Sequence, residues 1–290
     1  MSYRGTKINP SKSDISHIKF YVILIPMSIL MTLPIIYLIS TAFKPMDELF
    51  AYPPRFFVQN PTLENFEDLG YVMTMSGVPL SRYIFNSVFS SLLVVVGTLL
   101  ISVYAAYILS KKDFKSKKLL FSINTLSLMF VQVAVRIPRY LIIEKSGLLD
   151  SLAILILPML AMPVGLFLIK QFMDQVPDAV LEAARIDGAN DFRMIHKIII
   201  PVIKPAIVTV AILAFQVSWN TADASMFYVN SESLKTFAYY MAAISTATGN
   251  SVAGQGIAAA GALVLFIPNL VIFIIMQSNV VNTMAHSGIK

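Results

Sequence analysis

The sequence predicts an all-α integral membrane protein with six transmembrane helices. Of its 290 residues, 57% are hydrophobic and only 13% are charged, and the mean hydropathy is +0.73, which is not the composition of a soluble globular domain. Six uncharged stretches reach or approach the roughly 20 residues that a helix needs to cross the hydrocarbon. None of them alternates between polar and apolar residues as a barrel strand does, so the backbone in lipid must satisfy its hydrogen bonds within helices.

Charged residues delimit the six predicted spans. A basic segment, 1–19, is predicted to be a cytoplasmic tail, and residues 20–290 are predicted to form a single transmembrane domain. The first stretch is interpreted as a retained anchor and not as a signal peptide, because its 24 uncharged residues exceed a signal-peptide core and no small-residue cleavage pattern follows. The spans cover about 20–43, 83–110, 119–135, 151–169, 205–222 and 256–279.

The distribution of basic residues orients these helices. With the spans above, 15 of the 22 Lys and Arg residues fall on the side that holds both termini. Since cytoplasmic loops carry the excess of Lys and Arg, both termini are predicted to be cytoplasmic. The net charge of +6 follows from this topology. No nucleic-acid partner is expected, because no basic run is interleaved with aromatic residues.

Several classes of function are excluded by what the sequence lacks. Without cysteine there is no disulfide, thiolate metal site or cysteine nucleophile. The three histidines, His17, His196 and His286, lie far apart and leave little for a metal centre or a catalytic pair. The spans contain no Asp, Glu, Lys, Arg or His, which argues against proton coupling, and no P-loop motif is present. The chain is therefore predicted to be no enzyme and to carry no cofactor, so another subunit must energise any active transport.

The predicted cytoplasmic loop, 170–204, contains a short helix. Pro177 suits its first position, Asp178 suits the positive end of its dipole, and Gly188 suits a left-handed cap at its end. About ten residues would be marginal as an isolated helix. Something must therefore hold this helix in place.

A second helix is predicted after the turn. Asn190 or Asp191 can cap it, and it carries Phe192, Ile195 and Ile199 on one face. Two prolines then mark the return of the chain into the membrane. The loop is thus predicted to place two helices on the cytoplasmic surface.

Two functions fit the first of these helices equally well on physical grounds. The adjacent Ala183 and Ala184 allow close approach within a cleft of a partner, where Glu182 can pair with a basic residue. The alternative is an ordinary amphipathic connector that lies on its own bundle.

The loop resembles the Glu-Ala-Ala loop of bacterial ABC importer permeases. That loop combines these three residues with a glycine four positions on, an apolar pair and a closing proline, and here Ile200 replaces the usual leucine. Residues 184–189 narrow the resemblance to the carbohydrate importers, specifically to their MalG-like second permease. Other stretches similar to that subfamily lie at 61–66, 86–87, 137–138, 147–150, 219–220 and 284–290.

This resemblance implies the type I ABC importer permease architecture in the lipid bilayer of a bacterial cell membrane. It implies pairing with a second, MalF-like permease, an ATPase dimer that binds ATP and Mg, and an extracytoplasmic solute-binding protein that delivers a sugar, in particular an oligosaccharide. The loop would be the coupling helix of an alternating-access cycle, and Ser287 and Gly288 in the tail would also contact the ATPase. By position, the coupling residues are Glu182, Ala183, Ala184, Asp187, Gly188 and Pro201.

Polar and aromatic residues in or beside the spans are candidates for the substrate pathway. For each of them, hydrogen bonding between helices or interfacial anchoring is the simpler interpretation and is favoured. Arg136 and Arg139 are predicted to mark the outer end of the third span, and snorkelling to the interface is favoured over substrate contact. The candidates are Asn124, Gln132, Gln216, Trp219 and Asn220.

Alternatives to a sugar importer stay open at this point. A permease for a polyol or a glycerophosphodiester is the first of them. An anionic substrate would favour basic residues facing the pathway, and only the two arginines are near. A stand-alone channel or facilitator would need neither ATP nor a cytoplasmic partner.

Overall fold

The computed structural model describes residues 18–71, 77–131, 133–248 and 251–287, and these ranges contain helices and turns but no strand. The prediction of an all-α fold is confirmed. By length and composition, three of these helices can cross a membrane, and up to five spans result if each of two bent helix pairs counts as one. The six-span count and the orientation of the termini stay predictions. The α-helices are α1 (Ile18–Ala42), α2 (Met46–Leu49), α3 (Glu64–Tyr71), α4 (Leu80–Lys111), α5 (Lys117–Ser127), α6 (Arg136–Lys145), α7 (Leu157–Leu160), α8 (Pro163–Asp174), α9 (Asp178–Ile186), α10 (Asp191–Met194), α11 (Ile200–Val202), α12 (Lys204–Asn220), α13 (Asp223–Tyr228), α14 (Phe237–Thr248) and α15 (Val252–Ser287).

The helix in the third predicted span is shorter than expected. The 11 residues of α5 rise only about 16 Å, against roughly 30 Å of hydrocarbon. Thr125 Oγ1 donates to the carbonyl of Phe121 at 2.9 Å. Ser127 Oγ donates to the carbonyl of Asn124 at 2.6 Å, and such bonds compete with continuation of the helix. Where the structure describes them, residues 128–135 form turns and irregular backbone.

One predicted span, 151–169, contains a bend, and another, 205–222, begins just after one. The segment Leu152–Leu160 meets α8 at 41°, and Pro163 begins α8. The segment Asp191–Val202 meets α12 at 84°, and Pro205 lies in the first turn of α12. Proline donates no backbone hydrogen bond, so it starts a helix more easily than it continues one.

The chain divides into two compact units. The first contains the described residues up to Leu69 and the segment from 251 to Leu263, and the second contains Gly70–Ala247 and the chain from Val264 onward. In the first unit, α1 exposes apolar side chains along most of its length and buries only its last turn. This is the pattern expected of a helix that faces lipid or a neighbouring helix.

A buried asparagine holds the end of α1. Asn65 Nδ2 donates to the carbonyls of Ala42 and Lys44 at 3.0 and 2.7 Å. It therefore satisfies carbonyl groups that a helix end leaves without partners. Gly256 lies directly against the Asn65 side chain, where a larger residue would collide with it.

Small residues bring α4, α8 and α12 together in the core of the second unit. A Cβ added to Gly165 of α8 would lie 2.9 Å from Cγ1 of Val210 in α12. A Cβ added to Gly97 of α4 would lie 2.5 Å from Cδ2 of Leu160 in α7. Close approach through small residues is a common way for helices to pack within a membrane.

The first turns of α4 hold the segment between α13 and α14. Asn86 Nδ2 donates to the carbonyls of Ser233 and Lys235, each at 2.9 Å. Ser87 Oγ accepts the N–H of Phe237 at 2.8 Å. These bonds fix that segment to a long helix, since α4 has 32 residues and rises about 48 Å.

Candidate functional site

α9 is a nine-residue helix closed by a glycine, close to the sequence prediction. It covers Asp178–Ile186, and Gly188 has a φ of +79°. The N–H of Ala189 donates to the carbonyl of Ala184 at 2.9 Å, and the N–H of Gly188 donates to the carbonyl of Arg185 at 3.0 Å. This pair of bonds is the Schellman pattern. The prediction for Pro177 was wrong by one position. It precedes the helix as the N-cap, because its ψ of 135° is extended and not helical.

α9 has one buried face and one exposed face. Leu181 and Ala184 pack into an apolar cluster of the second unit. Glu182 and Ala183 point outward, and Ile186 is 87% exposed. Within the described part of the chain, the Glu182 carboxylate forms no ion pair. Only one of the two adjacent alanines is therefore available to a partner, since the other packs against the bundle.

A lysine at the end of α4 anchors the start of α9. Lys111 Nζ donates to the carbonyl of Val176 at 2.6 Å and to the carboxylate of Asp178 at 2.8 Å. The hydrogen bond and the charge of Lys111 lower the pKa of the Asp178 carboxyl. The side chain of Lys111 is only 6% exposed, whereas that of Asp178 is 76% exposed.

Of the two predicted caps of the second helix, Asn190 is the one observed. Its side-chain oxygen accepts the N–H of Arg193 at 2.9 Å. Asp191 instead accepts from Lys112 Nζ and from the hydroxyl of Tyr107, each at 2.7 Å. These bonds, that from Lys112 first, lower the pKa of the Asp191 carboxyl. Both loop helices are thus fastened to the same end of α4.

A π-helical turn, Ile195–Ile199, interrupts the second helix. Its first and last residues are buried, whereas Phe192 is 64% exposed and packs on His196 with 4.0 Å between ring centroids. The prediction that Phe192 shares a face with Ile195 and Ile199 is therefore wrong, since Phe192 lies in α10, before the π turn, and faces outward. Pro201 follows the turn, within α11, and is exposed.

Not all predicted site residues fall within the described part of the chain. Gln132, Gly288 and the side chain of Ser287 lie outside it. Asn124 lies inside it and joins α5 to α8, since its Nδ2 donates to the carbonyl of Pro163 at 3.1 Å. It also lines a small hollow of about 200 Å³.

The remaining substrate candidates lie on α12, and two of them bond to the middle of α15. Trp219 is 3% exposed, and its Nε1 donates to the carbonyl of Leu265 at 3.0 Å. Asn220 and Asn269 share hydrogen bonds of 3.0 and 3.4 Å. Gln216 is exposed, and its backbone carbonyl accepts from Asn220 at 2.8 Å. None of the three lines the larger cavity described next.

A cavity of about 430 Å³ lies in the second unit and is lined by α6, α13 and neighbouring segments. Arg136 pairs with Asp223 at 3.4 Å, and its guanidinium lies over the ring of Phe227, 4.3 Å from the centroid. Arg139, one turn further along α6, also lines the cavity. Most of the remaining wall is apolar. It includes Val94, Leu128, Pro158, Met159, Met162 and Val217.

Asp150 orders the part of the wall that contains Tyr228. Its N–H donates to the carbonyl of Tyr228 at 2.9 Å. Its carboxylate accepts the N–H groups of Asn230 and Ser231 at 3.0 and 2.8 Å and the hydroxyl of Ser231 at 2.5 Å. These bonds, that from the hydroxyl first, lower the pKa of the Asp150 carboxyl.

Sequence reasoning missed this cavity. Thr221, Asp223, Phe227 and Tyr228 line it but carry no motif. The available signal was the spacing of the two arginines, three residues apart on one helix face, which we interpreted as interfacial. In the described ranges, no group of three or more His, Cys, Asp or Glu residues could hold a metal ion.

Comparison with known proteins gives a consistent result. The family model described as "Binding-protein-dependent transport system inner membrane component" matches residues 18–280. The sulfoquinovosyl glycerol transport system permease protein SmoH of Agrobacterium fabrum is 30% identical over 259 residues, 89% of this chain and 88% of that protein. The arabinooligosaccharides transport system permease protein AraQ of Halalkalibacterium halodurans is 27% identical over 89% of this chain and 90% of that protein.

A solved structure has the same fold. It is a chain in the crystal structure of a bacterial ABC transporter involved in the import of the acidic polysaccharide alginate, with a TM-score of 0.75. The match covers 92% of this chain and 98% of that one at 21% identity, so the likeness concerns the fold. The predicted importer permease architecture is thereby confirmed.

Proposed function

The chain belongs to the family of binding-protein-dependent transport system inner membrane components, and we propose that it is a permease subunit of an ATP-driven importer for a carbohydrate, in particular an oligosaccharide. Its substrate would come from a solute-binding protein. A second, MalF-like permease would complete the channel, with this chain in the MalG-like position. An ATPase dimer that binds ATP and Mg would supply the energy. Transport systems for sulfoquinovosyl glycerol and for arabinooligosaccharides contain similar permeases, which supports a carbohydrate substrate.

The exposed face of α9 is the observation that carries this proposal. Ile186 and Ala183 expose apolar surface beside the carboxylate of Glu182. A connector that only lay on its own bundle would turn its isoleucine inward, whereas here that side chain is 87% exposed. A helix with an apolar patch and one acid is suited to a groove that contains a basic residue. This favours the coupling helix over the simple connector.

α4 provides a route from α9 to the far end of the second unit. One end of it holds α9 and α10 through Lys111, Lys112 and Tyr107. Its other end holds the segment after α13 through Asn86 and Ser87. When an ATPase displaces α9, this continuous helix transmits the displacement, as alternating access requires.

The 430 Å³ cavity supplies part of the proposed pathway. Its volume lies within the range of small-molecule sites, and its wall combines apolar side chains with a few polar groups. A second permease would supply the remaining wall. In this proposal Trp219 and Asn220 serve helix packing, because their side chains form hydrogen bonds with the middle of α15.

Co-purification tests the proposal. The tagged chain is extracted from its native membrane in mild detergent, and co-eluting proteins are identified by mass spectrometry. We expect a second permease, an ATPase and a solute-binding protein. Glu182→Lys should lose the ATPase but retain the second permease, because it reverses the charge on the exposed face of α9. Glu67→Lys is the matched control, since Glu67 is an exposed acid of α3, between the first and second predicted spans.

Two outcomes would contradict the proposal in different ways. Full retention of the ATPase and normal sugar uptake by Glu182→Lys would remove the coupling assignment. Recovery of the chain alone, with solute passing through it in liposomes that lack ATP, would mean a stand-alone channel.

A further inference from the structure

The 430 Å³ cavity carries an excess of positive charge. Its charged lining residues are Arg136, Arg139 and Asp223, two guanidinium groups against one carboxylate. Among the described residues, the others that line it are apolar or uncharged. A pathway for a neutral sugar needs hydrogen-bonding groups but has no need of a net charge. The excess therefore points to an anionic group on the substrate.

The geometry of Arg136 favours exchange of its partner. Its ion pair with Asp223 is long, 3.4 Å, and the two side chains are 39% and 58% exposed. Such a pair contributes little to stability, so another anion can replace Asp223 at small cost. The ring of Phe227 beneath the guanidinium keeps the planar group in position while the partner changes.

Arg139 lies one turn along α6 on the same cavity wall. Two guanidinium groups on one helix face can follow an anionic group as it moves along the wall. Arginine is suited to this role because its planar fork matches the oxygens of a carboxylate or a sulfonate. Without the arginines, an anionic group passing the proline and methionine side chains would lose its hydration without compensation.

We propose that the transported carbohydrate bears an anionic group, a carboxylate or a sulfonate, and that Arg136 and Arg139 contact that group as it passes through the cavity. This inference rests on the proposed importer function. Asp223 forms an ion pair with Arg136 when no substrate is present and is displaced by the substrate anion. Selection against neutral sugars then occurs within the permease as well as in the binding protein.

The test uses the complete transporter, purified from its native membrane and reconstituted with its binding protein and internal ATP. Uptake is measured with the binding protein saturated, for a panel of labelled mono- to tetrasaccharides that are neutral, uronate-bearing or sulfonate-bearing. We expect ATP-dependent uptake of at least one acidic probe. Arg136→Gln and Arg139→Gln should each lower its initial rate roughly tenfold, since each removes one charge-assisted contact. Lys145→Gln, in α6 but outside the cavity, should leave the rate unchanged.

Asp223→Asn provides a second test that retains both arginines. It removes the competing carboxylate, so uptake of the acidic probe should rise relative to a neutral probe. Basal ATPase activity and recovery of the intact complex show whether each variant is assembled. If an arginine variant does not assemble, Asp223→Asn tests the inference instead. A rise in acidic relative to neutral uptake supports it, and an unchanged ratio contradicts it.

The outcomes separate this inference from the function on which it rests. ATP-dependent uptake of neutral probes only, or acidic uptake that is unchanged in both arginine variants, would overturn the anionic substrate and leave the importer intact. No ATP-dependent uptake of any carbohydrate would overturn the proposed function itself. If the arginine variants lower the uptake of uronate-bearing probes alone, or of sulfonate-bearing probes alone, the result identifies which acidic group is carried and supports the inference.

Discussion

Gly188 is a residue whose role is set by backbone conformation alone. Its φ is +79°, and a Cβ added there would meet no atom within 4 Å. Gly188→Ala should therefore destabilise the end of α9 by about 1–2 kcal/mol through the left-handed conformation and not through a collision. Gly188→Asn, with the same available space, should cost less, because asparagine tolerates this conformation. Amide hydrogen exchange of α9 in the detergent-purified chain should therefore be faster in Gly188→Ala than in Gly188→Asn. Equal exchange in both variants would contradict this ranking.

The ionic contacts of the loop predict how it responds to pH. The folded pKa of Asp191 is lowered from its ordinary value of 3.8, so the contact stabilises the loop fully above that value and is lost as the pH falls through the lower folded pKa. Hydrogen exchange of residues 178–199, corrected for the intrinsic pH dependence, should therefore be constant from pH 7 to pH 5. Protection should fall only under stronger acid.

A substitution at the same residue separates this contact from general acid effects. Asp191→Asn removes the charge that pairs with Lys112, so protection of the loop should already be reduced at pH 7. Asp187→Asn is the control, because Asp187 is an exposed acid of the same loop and Lys112 pairs with Asp191 instead. Equal protection in both variants would show that the loop is held by its apolar contacts alone.

At the scale of elements, the packing of α8 on α12 depends on the absence of one side chain. Gly165→Ala would bring a Cβ within 2.9 Å of Val210, and such overpacking costs about 1–3 kcal/mol. The purified chain should then unfold at a lower temperature in mild detergent. Val210→Ala in the same chain should restore much of the loss, because it removes the colliding methyl group.

The matched control for this pair lies in α3. An added Cβ at Gly70 would meet nothing within 4 Å, so Gly70→Ala should be neutral or slightly stabilising. A loss at Gly70 equal to that at Gly165 would mean that glycine substitution itself, and not the contact of α8 with α12, lowers stability.

At the scale of the whole molecule, the orientation of the chain can be tested directly because the sequence has no cysteine. Single cysteines can be introduced at exposed positions on both predicted sides. Ser233→Cys should react with a membrane-impermeant maleimide while the inner membrane is intact. Ser116→Cys and Lys197→Cys should react only after permeabilisation, because basic loops are predicted to be cytoplasmic. The reverse pattern would invert the predicted topology.

Local sequence signals were sufficient to predict three of the spans and α9. The first, second and last predicted spans correspond closely to α1, α4 and the apolar part of α15. The cap at Gly188 and the Asn190 cap depend on a few neighbouring residues, so they can be predicted from the sequence. The early end of α5 and the π turn were not predicted. Hydrogen bonds of side-chain hydroxyls and a change of helical register leave the apolar pattern of the sequence intact.

The sequence by itself determined that this protein is helical and lies in a membrane, and where the loop 170–204 carries a helix, since composition and short-range spacing encode these features. Tertiary structure decided which faces are exposed. It turned Ala184 inward and Ile186 outward, and it buried Trp219 against α15. It also placed Arg136 beside Asp223, 87 positions later in the chain. Contacts between distant residues depend on how the helices pack and cross, which the periodicity of one helix does not specify.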